Sequence, residues 1–138
     1  MQGYNTDILA IDAVSVILGG LAVISWSGNT NGDVVDYELL EFDPSSGWNS
    51  IATVPFGTTM PFAIPGAFPL DSVKRYKVIS TDSCGNQSSD ILMTGHNNIL
   101  LTESMDPCEG VLRLKWNTYK GWPGGVGSYR VLADVTPP

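Results

Sequence analysis

The chain has 138 residues, with 14 acidic against 7 basic side chains and a formal net charge of -7. That balance repels phosphate backbones, with no basic patch to offset it, and argues against a nucleic-acid partner. No apolar run approaches the roughly 18 residues that span a bilayer, so no membrane insertion is expected, and the opening Met1-Gln2-Gly3-Tyr4 lacks the basic and apolar regions of a secretory leader.

The 15 glycines and 9 prolines, with only 15% charged residues, suit short strands joined by tight turns and predict an all-β protein. Ile8 to Leu18 alternates imperfectly around Ile11, Ala13, Ser15 and Ile17, and Gly19-Gly20 then makes a hairpin turn. Leu21 to Trp26 is the second strand, with Ala22, Ile24 and Trp26 on one face and the indole as a core plug. After the loop Ser27 to Asp33, Val34 to Phe42 alternates as a third strand that includes Tyr37. Asp43-Pro44-Ser45-Ser46-Gly47 is a turn, and Trp48 to Val54 a fourth strand ended by Pro55. Thr58 to Ile64 contains Pro61 and is expected at a sheet edge, because proline cannot donate to a central ladder. Phe62 and Phe68 flank this bend as core staples.

The run from Leu70 to Thr81 places Tyr76, Val78 and Ser80 on one face. Leu70 precedes Tyr76 by six positions, the spacing of a tyrosine corner, in which a phenol anchors the loop before it. A loop from Asp82 to Asp90 and a last strand within Ile91 to Thr102 complete about seven strands. The chain then repeats itself. Val111 to Asn117 matches Leu21 to Ser27, and Val126 to Leu132 matches Val34 to Leu40; Trp116 lies 90 positions after Trp26, and Tyr129 lies 92 after Tyr37. The expected organisation is a module over 8–102 and the truncated start of a second repeat over 103–138. The unmatched apolar residues of that second copy would pack on the first module, on a partner chain, or stay partly exposed; the partners expected are neighbouring modules of the same chain and a second copy as a homodimer.

No catalytic constellation is present. His96 is the only histidine and reads as a packed or solvated polar residue, so the chain is expected not to be an enzyme and to need no cofactor. Asn29, Asn31 and Asp33 present oxygen side chains at alternate positions, a spacing reminiscent of calcium loops, but the bidentate glutamate is missing although Glu38 is near; a turn accounts for them better than a metal site. Asp82, Asn86 and Asp90 allow the same reading more weakly. Trp48 and Trp122, beside turns, are candidate ligand contacts for a sugar ring or a protein partner, or else cover the ends of the fold. Cys84 and Cys108, beside Gly85 and Pro107, are either a disulfide or two free thiols on the residues alone.

The run Ile24-Ser25-Trp26, Tyr37, Leu70 to Tyr76 and Asp82 to Asn86 resembles a fibronectin type III module, an immunoglobulin-like Greek-key sandwich. More narrowly, Cys84-Gly85-Asn86, His96, Leu100, Cys108, Leu114-Lys115-Trp116-Asn117, Tyr119, Gly121-Trp122 and Ser128-Tyr129-Arg130 resemble the tandem fibronectin-like repeats of surface proteins in Bacteroidetes gliding motility and type IX secretion. The resemblance implies export, an extracellular or cell-surface location, and a Cys84 to Cys108 bridge. The function expected from it is a non-catalytic spacer or adhesion module contacting surface proteins or glycans; the alternative is a carbohydrate-binding accessory module of a secreted glycoside-degrading enzyme.

Overall fold

The computed structural model describes residues 9–17, 19–27, 32–66, 71–89 and 95–133. Nine strands form and, among these residues, no helix: β1 (Ala10–Val16), β2 (Ala22–Ser27), β3 (Val34–Asp43), β4 (Gly47–Pro55), β5 (Phe62–Ala63), β6 (Arg75–Asp82), β7 (His96–Asn97), β8 (Leu101–Asp106) and β9 (Val111–Trp116). They make three antiparallel sheets, ordered β1-β2-β5, β4-β3-β6-β7 and β8-β9. The chain crosses between the first two sheets after β2, after β4 and after β5, an all-β arrangement consistent with a β-sandwich.

Alternation puts one face of each of these sheets into a common core. Ile11, Val14, Ala22, Ile24 and Trp26 from the first sheet meet Val34, Tyr37, Leu39, Val54, Tyr76 and Val78 from the second. Ile24 and Leu39 are completely buried, and each such side chain gains about 1.5 to 3 kcal/mol by leaving water. Trp26 meets Tyr37 edge-on at 5.3 Å between ring centroids and Phe62 at 6.5 Å, the geometry that aromatic quadrupoles favour. As expected, the Pro61-containing stretch lies at an edge: β5 pairs with β2 alone, through Val23 opposite Ala63 and Ile24 opposite Phe62.

The last strand of the four-stranded sheet falls within the expected range, as His96–Asn97, and Leu101 belongs to the next hairpin. One correction concerns Val126 to Leu132, the match of β3 in the second copy, which forms no strand and is paired with none among the described residues.

The β8-β9 hairpin nevertheless repeats the tryptophan pair of β1-β2, although it runs in regular register where β1-β2 shifts between Ile11 and Ala13. Ile11 faces Trp26 in the first, and Leu101 faces Trp116 in the second, each residue displaced by 90. Trp116 in turn meets Tyr129 edge-on at 5.9 Å and 63°, close to the 5.3 Å and 64° of Trp26 and Tyr37. The hairpin tip also repeats a device used earlier. In Asp43-Pro44-Ser45-Ser46-Gly47 the carboxylate accepts the N–H groups of Ser45 and Ser46; in Asp106-Pro107-Cys108-Glu109-Gly110 it accepts those of Cys108 and Glu109. Both turns close on a left-handed glycine, Gly47 or Gly110. The Ser45 hydroxyl, and after it the Ser45 and Ser46 N–H groups, hold the Asp43 carboxyl below the usual carboxylate range, and the Glu109 and Cys108 N–H groups do the same for Asp106.

Candidate functional site

The most densely bonded polar region lies where the first seven strands meet the β8-β9 hairpin. A two-residue strand cannot satisfy its own free edge, so side chains and a returning segment do so. After β9 the chain doubles back as a strap, Asn117 to Trp122, along β7 and onto β1.

Three asparagines make the junction. Asn98 is fully buried; its Oδ1 accepts the Lys74 N–H at 2.7 Å and its Nδ2 donates to the Ser72 carbonyl at 3.2 Å. Asn97 donates from Nδ2 to the Thr118 carbonyl at 2.9 Å, accepts the Lys120 N–H, and donates its own backbone N–H to the Lys120 carbonyl at 3.3 Å. Asn117 accepts the Leu100 N–H at 2.7 Å and donates to the Asn98 carbonyl at 2.9 Å. The amides thus replace a β-ladder, and both polar ends of each side chain are used.

Tyr119 is the pin of the strap. Buried within the common core, it places its hydroxyl 3.0 Å from the Val14 backbone N–H, which donates to it, and 2.9 Å from Nδ1 of buried His96. Its own N–H donates to the Tyr129 hydroxyl at 2.8 Å. Trp122 stacks on the Tyr119 ring at 4.5 Å and donates its indole N–H to the Asp12 carbonyl at 2.9 Å. Gly121 lets the strap pass over the imidazole: a Cβ there would stand 2.3 Å from His96 Cγ, at a φ of 135°. Burial lowers the His96 pKa from its ordinary 6.5, partly opposed by the Asp12 charge, and burial raises that of Tyr119.

Trp48 lies on the outward face of the four-stranded sheet. It meets Phe42 edge-on at 5.2 Å, with Lys77 Nζ 4.6 Å and Arg75 Cζ 5.7 Å from its ring centroid, so cations already occupy the π face that a sugar would use. Lys74 at the same end pairs with Glu41 at 2.9 Å. Of the fold residues expected from the sequence, Trp26, Tyr37 and Tyr76 are in the core, whereas Trp116 and Tyr129 pair beyond the strap. Among the described residues the buried Tyr76 hydroxyl has no hydrogen-bond partner; burial, and next the Glu41 carboxylate, push the phenol well above its ordinary pKa. Leu70, Asn29, Asn31, Asp90 and Phe68 lie outside the described residues. Asp33 is described; its carbonyl accepts the Ser83 N–H at 2.9 Å. Among the described residues no group of three or more His, Cys, Asp or Glu side chains is placed to hold a metal.

The Cys84 to Cys108 bridge is corrected: both are exposed free thiols. Cys84 follows the Asp82 end of β6, while the hairpin carrying Cys108 leaves from the opposite end, where Arg75 faces Asn97. An eight-residue strand spans roughly 23 Å at about 3.3 Å per residue, and a disulfide needs Cα atoms within about 7 Å. What sequence reasoning missed is the role of the strap. The Trp-Asn-x-Tyr-x-Gly-Trp run stood out only as part of a resemblance, His96 read as a packed or solvated polar residue, and nothing marked Asn97 and Asn98 as buried amides replacing a ladder.

Gly121→Ala is expected to cost about 2 to 4 kcal/mol in urea unfolding, since it combines a clash with an unfavourable backbone angle. Gly124→Ala, with open space around its Cβ position, should stay within about 0.5 kcal/mol. Equal effects at the two positions would contradict the strap's close approach to His96.

No protein-family model matches the chain, and neither does any curated protein or solved structure.

Proposed function

We propose that the chain is a non-catalytic extracellular spacer or adhesion module of a larger cell-surface or secreted protein. In this reading it comprises a fibronectin type III-like sandwich joined to the first hairpin of a second such repeat. The observation that carries it is the junction: the Asn97 and Asn117 side chains tie the strap and the hairpin to β7, while the Asn98 side chain pins the end of β7 to the Ser72 and Lys74 backbone. Groups arranged in this way transmit geometry rather than perform chemistry, because none is left to accept a proton, attack a carbonyl or hold a substrate. The seven-strand count, the three-plus-four sheet order and the matching Trp–Tyr pairs support the fibronectin-like form.

The carbohydrate-binding alternative gains less support. Trp48 is covered by Lys77 and Arg75, and Trp122 is stacked on Tyr119 with its N–H engaged. Following tryptophan fluorescence across a panel of neutral and acidic oligosaccharides should give no saturable change. Saturable quenching that Trp48→Ala abolishes would replace the spacer reading with the carbohydrate one.

One face of the β8-β9 hairpin carries Leu101, Met105, Leu112, Leu114 and Trp116, and beside it Ile99, Leu101, Leu114, Trp116, Tyr129 and Val131 line an open groove of about 310 Å³. Met105 is 66% exposed and Leu112 51%. In an array a neighbouring module covers such a face; in isolation a second copy does so. Light scattering is therefore expected to show mass rising from monomer toward dimer with concentration, and Leu112→Asp to hold the chain monomeric. A concentration-independent monomer mass for the unsubstituted chain would refute the self-association.

A further inference from the structure

The Tyr119 hydroxyl has one proton and two lone pairs, and its surroundings fix how they are used. Val14 N–H is an obligatory donor and takes a lone pair at 3.0 Å. The second contact, His96 Nδ1 at 2.9 Å, is fully satisfied only if the phenol donates its proton and the imidazole accepts it, with the other ring nitrogen carrying the imidazole proton. We propose that this arrangement makes the junction a proton-sensitive clasp, closed when His96 is neutral and loosened when His96 is protonated.

Protonation places a second donor at Nδ1. The hydroxyl oxygen must then accept from both Val14 and His96, and its own proton has no acceptor among the described residues. A positive charge also enters a ring that is 5% exposed and lies beneath Gly121, where the strap has no slack to move closer or sideways. The groups around the ring do not cancel this cost. From β1, Asp12 favours the charged ring but already accepts the Ser27 hydroxyl at 2.7 Å. From β6, Tyr76 is the register partner of His96, and Arg75 stands beside Asn97; from the strap come Tyr119 and Lys120. Glu41, across from Tyr76 on β3, is paired with Lys74. Arg75 is turned over the Phe42 and Trp48 rings on the outward face, so among the described residues the charge that bears on the imidazole is that of Asp12, and burial outweighs it.

The sign follows from linkage. The folded state holds the His96 pKa below its ordinary 6.5, so between the two values the unfolded or undocked chain binds more protons. Strap docking is therefore fully supported above about pH 6.5 and is lost as pH falls through the lower folded value. The bonds at stake are those of Tyr119 and of Trp122, whose indole N–H reaches β1 three residues further along the strap.

The lone histidine makes the test direct on the full chain. Nuclear magnetic resonance would follow the imidazole carbons, the Val14 amide and the Trp122 indole N–H from pH 8 to pH 4.5. The clasp predicts one shared midpoint below 6.5 for all three, and a fall of about tenfold in Val14 protection, corrected for intrinsic exchange, across that midpoint, while Leu39 and Val78 amides keep theirs. In His96→Gln the Val14 and Trp122 step should vanish, and in Tyr119→Phe Val14 should be unprotected at both ends of the range. The proposal is overturned if Val14 and Trp122 do not follow the imidazole, or if their step persists unchanged in His96→Gln. Should His96→Gln fail to fold, the coincidence or separation of the three midpoints in the unsubstituted chain still decides.

Discussion

A strand of two residues cannot hold a sheet edge, and the way β7 is completed governs the rest of this molecule. His96 and Asn97 pair with Tyr76 and Arg75 on one side. On the other side the backbone ladder is replaced by amide side chains and by a strap that comes from beyond the next hairpin. Each bond in that seam is ordinary, worth about 0.5 to 1.5 kcal/mol net. Their value lies in asymmetry: a buried amide left half-paired costs about 1 to 3 kcal/mol. Asn98, with no exposed surface, therefore penalises any other placement of the end of β7 against the Ser72 and Lys74 backbone more than it rewards this one.

Hydrophobic burial and polar specification are divided between two places. The common core of the first two sheets is aliphatic and aromatic, with Trp26 wedged between Tyr37 and Phe62, and it sets stability. Tyr119 belongs to both regions: its ring sits in that core while its hydroxyl reads Val14 and His96. Removing the strap would thus open the core as well as the seam, which couples the β8-β9 hairpin and its strap to the stability of the first two sheets. The hairpin itself adds little buried surface, being exposed along most of β8 and β9.

Periodicity and turn chemistry made much of the architecture legible. Alternation located β1, β2, β3, β4 and β6 within a few residues, Pro61 assigned β5 to an edge, and the Trp26/Trp116 and Tyr37/Tyr129 spacings anticipated two ring pairs of nearly equal geometry. These are local or nearest-neighbour effects, which is why residues reveal them. The seam was not legible for the opposite reason. His96 and Asn97 are polar residues whose partners, Thr118 to Lys120, lie more than 20 positions ahead, and Asn98 bonds back to Ser72 and Lys74, as far behind; no sequence period marks a side chain that substitutes for a backbone bond. The cysteines erred similarly: their neighbourhood in turns was visible, but not that the two turns lie at opposite ends of the fold.

The same two cysteines offer the most direct check on the central claim, a fixed junction holding the hairpin out from the first repeat. Both thiols are exposed and accept nitroxide labels without reductant. Pulsed electron resonance between labels on Cys84 and Cys108 at pH 7.5 should give one narrow distance distribution centred beyond roughly 20 Å, in keeping with the length of β6 that separates the two turns. A broad distribution would mean that the strap does not fix the hairpin, and unlabelled, mutually bonded cysteines would mean that the hairpin folds back across the sheet.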